Sequence, residues 1–435
     1  VTATAPATIP VPASIDDTCT SDATAALDTF FNSLPAGATV TLPTKGCYLV
    51  SNSTSSVLRI AHTTSVTIEG NGSTFLQRVY ANWSCQANVV QPILSLLTNT
   101  SLTIENLTLD GPMYCSGSRS EGDYGIYYAA GNRSLLFNGV TVENVDGDGI
   151  ASFPGVNFDT TFENGKLYDI GYHGLSLQGD DGFTFAHNTV QLVGNFIDLE
   201  NDADCSAGTT GSTGAGQSCW NADGTPAWSP TNQVSAQWDI TISDNNFIQG
   251  IGGVWIASEQ AACVPQGNLT VIGNQLDSTV APSIVLLGSN VQRARYPQHC
   301  PATDSGLTIE NNYSAAAATP GGSIASPPAP ALLQIMDYSN VTVTGNNFLM
   351  YAGSTTYYPN TPYIPAVALC GVSGATVADN TFNNAWAPSV ASGCFDAPSS
   401  LPADSAITTC GNAYWLTQPV NGVAADVRHD GVCAP

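Results

Sequence analysis

Apolar and polar residues alternate in short runs along most of this chain, and one phrase recurs. It reads VTIEGN (66–71), LTIENL (102–107), FTFAHN (183–188), ITISDN (240–245), LTVIGN (269–274), LTIENN (307–312), VTVTGN (341–346) and ATVADN (375–380). A period of two with β-branched residues predicts a strand, and Asn, Asp and Gly at its end predict a turn. Asn188, Asn245, Asn274, Asn312, Asn346 and Asn380 hold one place in their phrases. That place suits a stacked amide ladder inside a turn, or an Asn that tolerates left-handed backbone.

A second strand follows the phrase in several repeats: YGIYYA (124–129), DGIASF (148–153), HGLSLQ (173–178), NFIDLE (195–200) and GVWIAS (253–258). The first four start at 124, 148, 173 and 195, in steps of 24, 25 and 22 residues. One solenoid coil of three short strands has about this length, so the segments are expected to stack as rungs about 4.8 Å apart. Ile126, Ile150, Leu175, Leu177, Ile197, Leu199, Val254 and Ile256 then point inward. Helical periodicity is nearly absent. The expected fold is all-β, a right-handed parallel β-helix. An antiparallel sandwich is second, because two-residue hairpin turns are missing between the phrases.

Segment 22–50, DATAALDTFFNSLPAGATVTLPTKGCYLV, reads as an amphipathic helix, a turn and a first strand. A helix there would cover the open end of a solenoid. This run resembles the N-terminal cap of the pectate-lyase-like superfamily of right-handed parallel β-helix proteins, and the resemblance extends over the coils to about residue 390. It implies an N-terminal cap over 1–50, coils over 51–390 and a groove that binds carbohydrate along one sheet face. Residues 203–237 and 350–364 interrupt the coils as long loops. Residues 391–435, with Cys394, Cys410 and Cys433, read as a disulfide-rich C-terminal cap. The superfamily includes homo-oligomers, so a homo-oligomer is left open.

Composition narrows the partners. Charged residues make up 10% of the chain, against about 25% in an ordinary globular protein. Acids outnumber Lys plus Arg by 34 to 9, for a net charge of −25. Such a field repels nucleic acid and anionic membranes. The twelve cysteines include no CxxC and fall into neighbours: Cys19/Cys47, Cys85/Cys115, Cys205/Cys219, Cys263/Cys300, Cys370/Cys394 and Cys410/Cys433. Disulfides are the expected reading. Nine N-x-S/T sequons fit a glycoprotein, although a chain rich in Asn, Ser and Thr forms them by chance. With no spanning apolar run, a chain starting at Val1 is expected to be the mature form of a secreted, extracellular protein.

Stacking the second strands in register builds a candidate site. Tyr124, Asp148, His173 and Asn195 form the column before the strands. Tyr127, Ala151, Ser176, Asp198 and Trp255 form the first outward column, and Ala129, Phe153, Gln178, Glu200 and Ala257 the next. Alternation in IDLE puts Asp198 and Glu200 on one face, with Cα atoms about 6.5–7 Å apart. Cleavage of a glycosidic bond needs a proton donor and a second carboxylate. Asp198 and Glu200 are the expected pair, Asp148 substitutes for either, and His173 orients a carboxylate or a sugar hydroxyl. Tyr124, Tyr127, Ser176, Gln178, Asn195, Trp255 and Trp220 are expected to bind substrate. The plain alternatives are a solvated acidic face, a structural His173 and a packing Trp255. Asp202 and Asp204 continue the acidic run, so Ca²⁺ with Asp198 or Glu200 is a second option, although no metal is required. QGDDG (178–182) reads as a turn. The polygalacturonase pattern it suggests is absent, since YHG (172–174) precedes the DD pair and neither NTD nor RIK occurs.

The expected activity is that of a glycoside hydrolase or transglycosylase on a neutral or weakly charged extracellular polysaccharide or oligosaccharide. A lyase or epimerase would use a His or Tyr base with Ca²⁺, but no basic groove is present to neutralise a uronate. A non-catalytic surface β-helix that binds glycan is the third reading.

Overall fold

The computed structural model describes residues 8–53, 56–80, 83, 85, 90–114, 122–129, 131–153, 157–199, 237–250, 254–257, 266–278, 284–287, 304–316, 333–350, 367–383, 390–392, 401–415, 427–429 and 433. They fall into two units, Val1–Gly194 and Asn195–Pro435. Among the described residues no helix is long and apolar enough to cross a membrane.

In the first unit the alternating runs become strands that pair in parallel with the strand one coil away. Leu58, Leu94, Ile126, Ile150 and Leu175 align from coil to coil. None is more than 1% exposed. A second inward stack runs Val40, Ile68, Ile104, Phe137, Phe162, Phe185. Its rings lie 5.8 Å apart between Phe137 and Phe162 and 5.7 Å between Phe162 and Phe185. Each buried side chain of this size stabilises by about 1.5–3 kcal/mol. Parallel neighbours need a long connection, and the rest of each coil supplies it. This pairing excludes the antiparallel sandwich.

The second unit repeats the plan. Ile242, Val271, Ile309, Val343 and Val377 form one inward column. Ile284, Leu333, Val367 and Val390 pair along another strand column. The rings of Phe348 and Phe382 stack 5.8 Å apart. Coil pairing does not stop at 390. Ser373–Ala378 pairs in parallel with Ser405–Cys410, and Thr381–Asn383 with Ala413–Trp415. Only then does Val427–His429 add an antiparallel strand. Each unit is a stack of parallel β-coils, and the fold is a parallel β-helix.

Turns of these coils are built on a dipeptide. In Asp244-Asn245, Gly273-Asn274, Asn311-Asn312, Gly345-Asn346, Asp379-Asn380 and Gly411-Asn412, the first residue has a φ between 54° and 67°. The second residue joins the ladder. Each ladder Nδ2 donates to the next coil's Oδ1 at 2.9–3.0 Å, from Asn245 through Asn274, Asn312, Asn346 and Asn380 to Asn412. Each peptide N–H donates to the same oxygen. Left-handed turn and amide ladder, alternatives in the sequence, are thus adjacent residues with separate tasks. Asn188 caps the turn of the coil before it, accepting from the Gly165 N–H and donating to the Phe162 carbonyl. A second ladder in the first unit, Thr63–Asn99–Asn132–Asn157, has no counterpart in the repeated phrase.

Thr24–Asn32 is the predicted helix. It buries Leu27 and Phe31, and the Phe31 ring lies 6.4 Å from Phe75. Its outer side chains bond the strand Leu58–Ala61. Asp28 accepts from the Arg59 N–H at 3.1 Å, and Asn32 accepts from the Ala61 N–H at 2.7 Å while donating to the Arg59 carbonyl at 3.0 Å. Disulfides join Cys19 to Cys47 and Cys410 to Cys433, as neighbour pairing predicts. Cys85 and Cys370 are also disulfide-bonded.

Candidate functional site

The first unit brings together one of the predicted columns. Asp148 pairs in register with Tyr124, and Ala151 with Tyr127 on one side and Ser176 on the other. The His173 peptide N–H donates to Asp148 Oδ1 at 3.1 Å, and His173 Nδ1 lies 3.3 Å from that oxygen. The Tyr172 ring packs on the imidazole at 3.7 Å between centroids, and Tyr124 stacks on Tyr127 at 5.6 Å.

These groups do not face open solvent as the alternation suggested. Tyr124, Asp148, His173, Ser176 and Gln178 are all buried, and Tyr127 is half-buried. The segment after the strand Thr103–Asp110 is bonded to the run that carries Asp146. Gly111 and Met113 donate their N–H groups to the carbonyls of Glu143 and Asn144, and the Tyr114 N–H donates to Asp146 Oδ2 at 2.7 Å.

Two carboxylates that sequence reasoning passed over belong to this cluster. Asp123 and Asp146 are both buried. The Asp146 N–H donates to Asp123 Oδ2 at 3.1 Å, while Asp123 Oδ1 has no hydrogen-bond partner among the described residues. Desolvation pushes the Asp123 carboxyl well above the usual range, and the charges of Asp146 and Asp148 push it the same way. The Asp146 N–H opposes this only in part. Burial thus favours the protonated form of Asp123. The signal for these residues was present in GDYG (122–125) and VDGDG (145–149), where acids flank the same rung.

Asp180 corrects the reading of QGDDG as a turn. It opens the strand Asp180–Ala186 and is 1% exposed. The Tyr128 hydroxyl donates to Asp180 Oδ1 at 3.0 Å, and the Ser152 hydroxyl donates to Oδ2 at 2.5 Å. Burial raises its pKa to about 7 against these two bonds. Tyr128 and Ser152 are inward positions paired across one coil boundary. This is a core polar cluster, separate from the His173 column.

Asp198 is buried near the end of the strand Thr189–Leu199, and Asn195, half-buried, opens the second unit. Trp255 is placed by its strand, Val254–Ala257, where it pairs with Val285. Glu200, Asp202, Asp204 and Trp220 lie outside the described residues, as does almost all of both long loops. Among the described residues no three His, Cys, Asp or Glu side chains converge as metal ligands.

No family model matches the sequence, and neither does any curated protein. Solved structures do match in fold. A tailspike protein mutant of E. coli bacteriophage HK620, in complex with a pentasaccharide, aligns at 13% identity and a TM-score of 0.53. The alignment covers 92% of this chain but 64% of the tailspike, so the chain spans a little under two thirds of that protein. The Yersinia enterocolitica family 28 exopolygalacturonase aligns at 12% identity and 0.49, covering 94% of this chain and 75% of its own. An endo-xylogalacturonan hydrolase from Aspergillus tubingensis aligns at 11% and 0.47, covering 98% and 100%. The resemblance to pectate-lyase-like β-helix proteins holds at the level of fold.

Proposed function

We propose that this chain is a secreted, carbohydrate-active, right-handed β-helix enzyme that hydrolyses a glycosidic bond of a neutral polysaccharide. The observation that carries the reading is the pairing of unlike carboxylates. Asp123 is desolvated and keeps its proton beside Asp146, while Asp148 is held by the His173 N–H. In such a pair the carboxyl that holds its proton serves as the acid and its neighbour as the base. Asp123 gives its proton to the glycosidic oxygen as the bond to the sugar carbon breaks. Asp148 takes a proton from the water that attacks that carbon. His173 positions Asp148, and Tyr124, Tyr127, Ser176 and Gln178 line the approach.

Uronate chemistry is disfavoured by charge, because the charges acting on Asp123 come from acids. The fold likeness to a tailspike in complex with a pentasaccharide is consistent with a saccharide ligand. Asp198 and Glu200 stand as a second carboxylate pair on the other unit, with Ca²⁺ as their alternative role. Covering the solenoid end is the role we assign to the helix Thr24–Asn32, and sequons outside the ladders are assigned to glycosylation.

The test is a digest of a neutral and acidic glycan library at about pH 4–6, with and without EDTA. New reducing ends from a neutral glycan, lost in Asp123→Asn and Asp148→Asn with the fold intact, are the expected result. Unsaturated uronate products would replace the hydrolase by a lyase. Loss confined to Glu200→Gln or Asp198→Asn would move the chemistry to the second unit. Binding without turnover by the wild type would make it a glycan-binding surface protein.

A further inference from the structure

We infer that Tyr80, Trp83 and Tyr114 form a sugar-binding subsite next to Asp123 and Asp146, and that it takes one uncharged pyranose unit. The inference rests on the reading above and adds the residues that hold the substrate.

Tyr80 and Trp83 make an edge-on ring pair at 5.1 Å, and the Trp83 peptide N–H donates to the Tyr80 carbonyl at 2.9 Å. The Tyr80 hydroxyl donates to Gln91 Oε1 at 2.8 Å. Gln91 donates its own N–H to the Gly122 carbonyl at 2.7 Å, one residue before Asp123. Burial and then the charge of Asp123 push the Tyr80 phenol up to about 12, which places that ring within electrical reach of the carboxyl.

Two polar atoms in this neighbourhood are shut from solvent with no partner among the described residues: the indole nitrogen of Trp83 and Asp123 Oδ1. The first is a donor only, and the second belongs to a carboxyl that keeps its proton. Groups left in this state lose the hydrogen bonds they had in water. A sugar hydroxyl is both donor and acceptor, so it meets either requirement. A carboxylate or phosphate on the ligand would instead meet the charges of Asp146 and Asp148, which act on this same place.

Tyr114 supplies the open side. Its N–H is fixed on Asp146 Oδ2 at 2.7 Å, yet the residue is 59% exposed. An aromatic side chain rooted on the acidic cluster and turned to water offers a flat face for the C–H side of a pyranose.

Asp148→Asn is used as the parent, so that binding is read without turnover, against gluco-, manno-, galacto- and xylo-hexasaccharides by calorimetry. Trp83→Phe, which keeps the ring and removes the N–H, is expected to weaken binding about fivefold. Tyr114→Ala is expected to weaken it about tenfold, and Tyr114→Phe to keep the parent affinity. Circular dichroism confirms the fold of each variant. The subsite is overturned if Trp83→Phe and Tyr114→Ala bind like the parent, if the parent binds none of the four, or if oligogalacturonate binds as well as they do. The reading of function fails separately, when Asp123→Asn and Asp148→Asn turn over glycan at the wild-type rate.

Discussion

Inside the first unit the Tyr128 hydroxyl donates a 3.0 Å hydrogen bond to Asp180, and both residues are almost fully buried. Ser152 serves the other carboxylate oxygen, so Asp180 is satisfied and still uneasy as an anion. Desolvation outweighs both bonds and raises its pKa from 3.8 to about 7.

The sign follows from linkage. A carboxyl raised in the folded state contributes stability that is fully present below its unfolded pKa and is lost as pH rises through the folded value. For Asp180 the window runs from 3.8 to about 7. A shift of this size corresponds to about 4 kcal/mol at most. Urea unfolding at several pH values across this window should show wild-type stability falling with pH. Asp180→Asn should flatten that slope. An equal slope in both proteins would remove Asp180 from the account. Asp123 acts in the same direction, and the half-exposed Asp181 adds repulsion to Asp180.

Asp123 makes a prediction about rate. Asp123 must be protonated to act, so activity should fall as pH rises past its raised pKa. The expected profile of kcat/KM has an alkaline limb that belongs to Asp123. Asp146→Asn removes one of the charges that raise Asp123, and it should move that limb to lower pH. An alkaline limb that stays in place would assign it to another group.

Much of this arrangement was legible in the sequence, for a physical reason. Steps of 24 and 25 residues place Asp148 against Tyr124 and His173 against Asp148, because one coil consumes a fixed length of chain. The same repetition exposed the ladder from Asn245 to Asn380. The Thr63–Asn99–Asn132–Asn157 ladder was hidden because its residues follow no shared phrase. Asp123 and Asp146 stand 23 residues apart, one coil's length, but lie just ahead of the strand runs that were stacked. Asp180 was misread because Gly and Asp are usual in turns, whereas inward Tyr128 and Ser152 decide its place. Burial of the column was also out of reach. Alternation tells which face a side chain takes, and it does not tell whether other parts of the chain lie over that face.

The ladder makes a graded prediction. Asn346 donates to Asn380 Oδ1 and the Ile309 carbonyl, and accepts twice from Asn312. Asn346→Ala removes these bonds in a buried place, at about 1 kcal/mol each with a further cost for partners left unpaired. Asn412, at the ladder's last rung among the described residues, donates to the Val377 carbonyl and accepts twice from Asn380. In a stack where each coil leans on its neighbours, the inner substitution should cost more than Asn412→Ala. Denaturant midpoints of the two variants decide this, and equal losses would count against it.

The same burial sorts the sequons. Asn99, Asn132 and Asn312 head N-x-S/T triplets, but their amides are locked in ladders and buried. Asn106, Asn268 and Asn340 are exposed. Expression in a glycosylating host, followed by glycopeptide mapping, should find sugar at the exposed set and none at the buried set. Glycan on folded protein at Asn312 would contradict the ladder.

Asn32 carries the last prediction. Its amide bonds both the Ala61 N–H and the Arg59 carbonyl, and Asp28 one turn earlier takes the Arg59 N–H. The strand Leu58–Ala61 pairs with Leu94–Leu97, and these side chains occupy further backbone groups that would otherwise offer an edge to another chain. Asn32→Ala should cost about 1–2 kcal/mol, since the position is exposed and water replaces part of the loss. The sharper consequence is association. An uncovered edge recruits another strand, so Asp28→Ala with Asn32→Ala should aggregate at concentrations where the wild type remains dispersed. Light scattering over a concentration series reads this directly. If the double variant is less stable but equally dispersed, the helix serves packing through Leu27 and Phe31 and does not guard the edge.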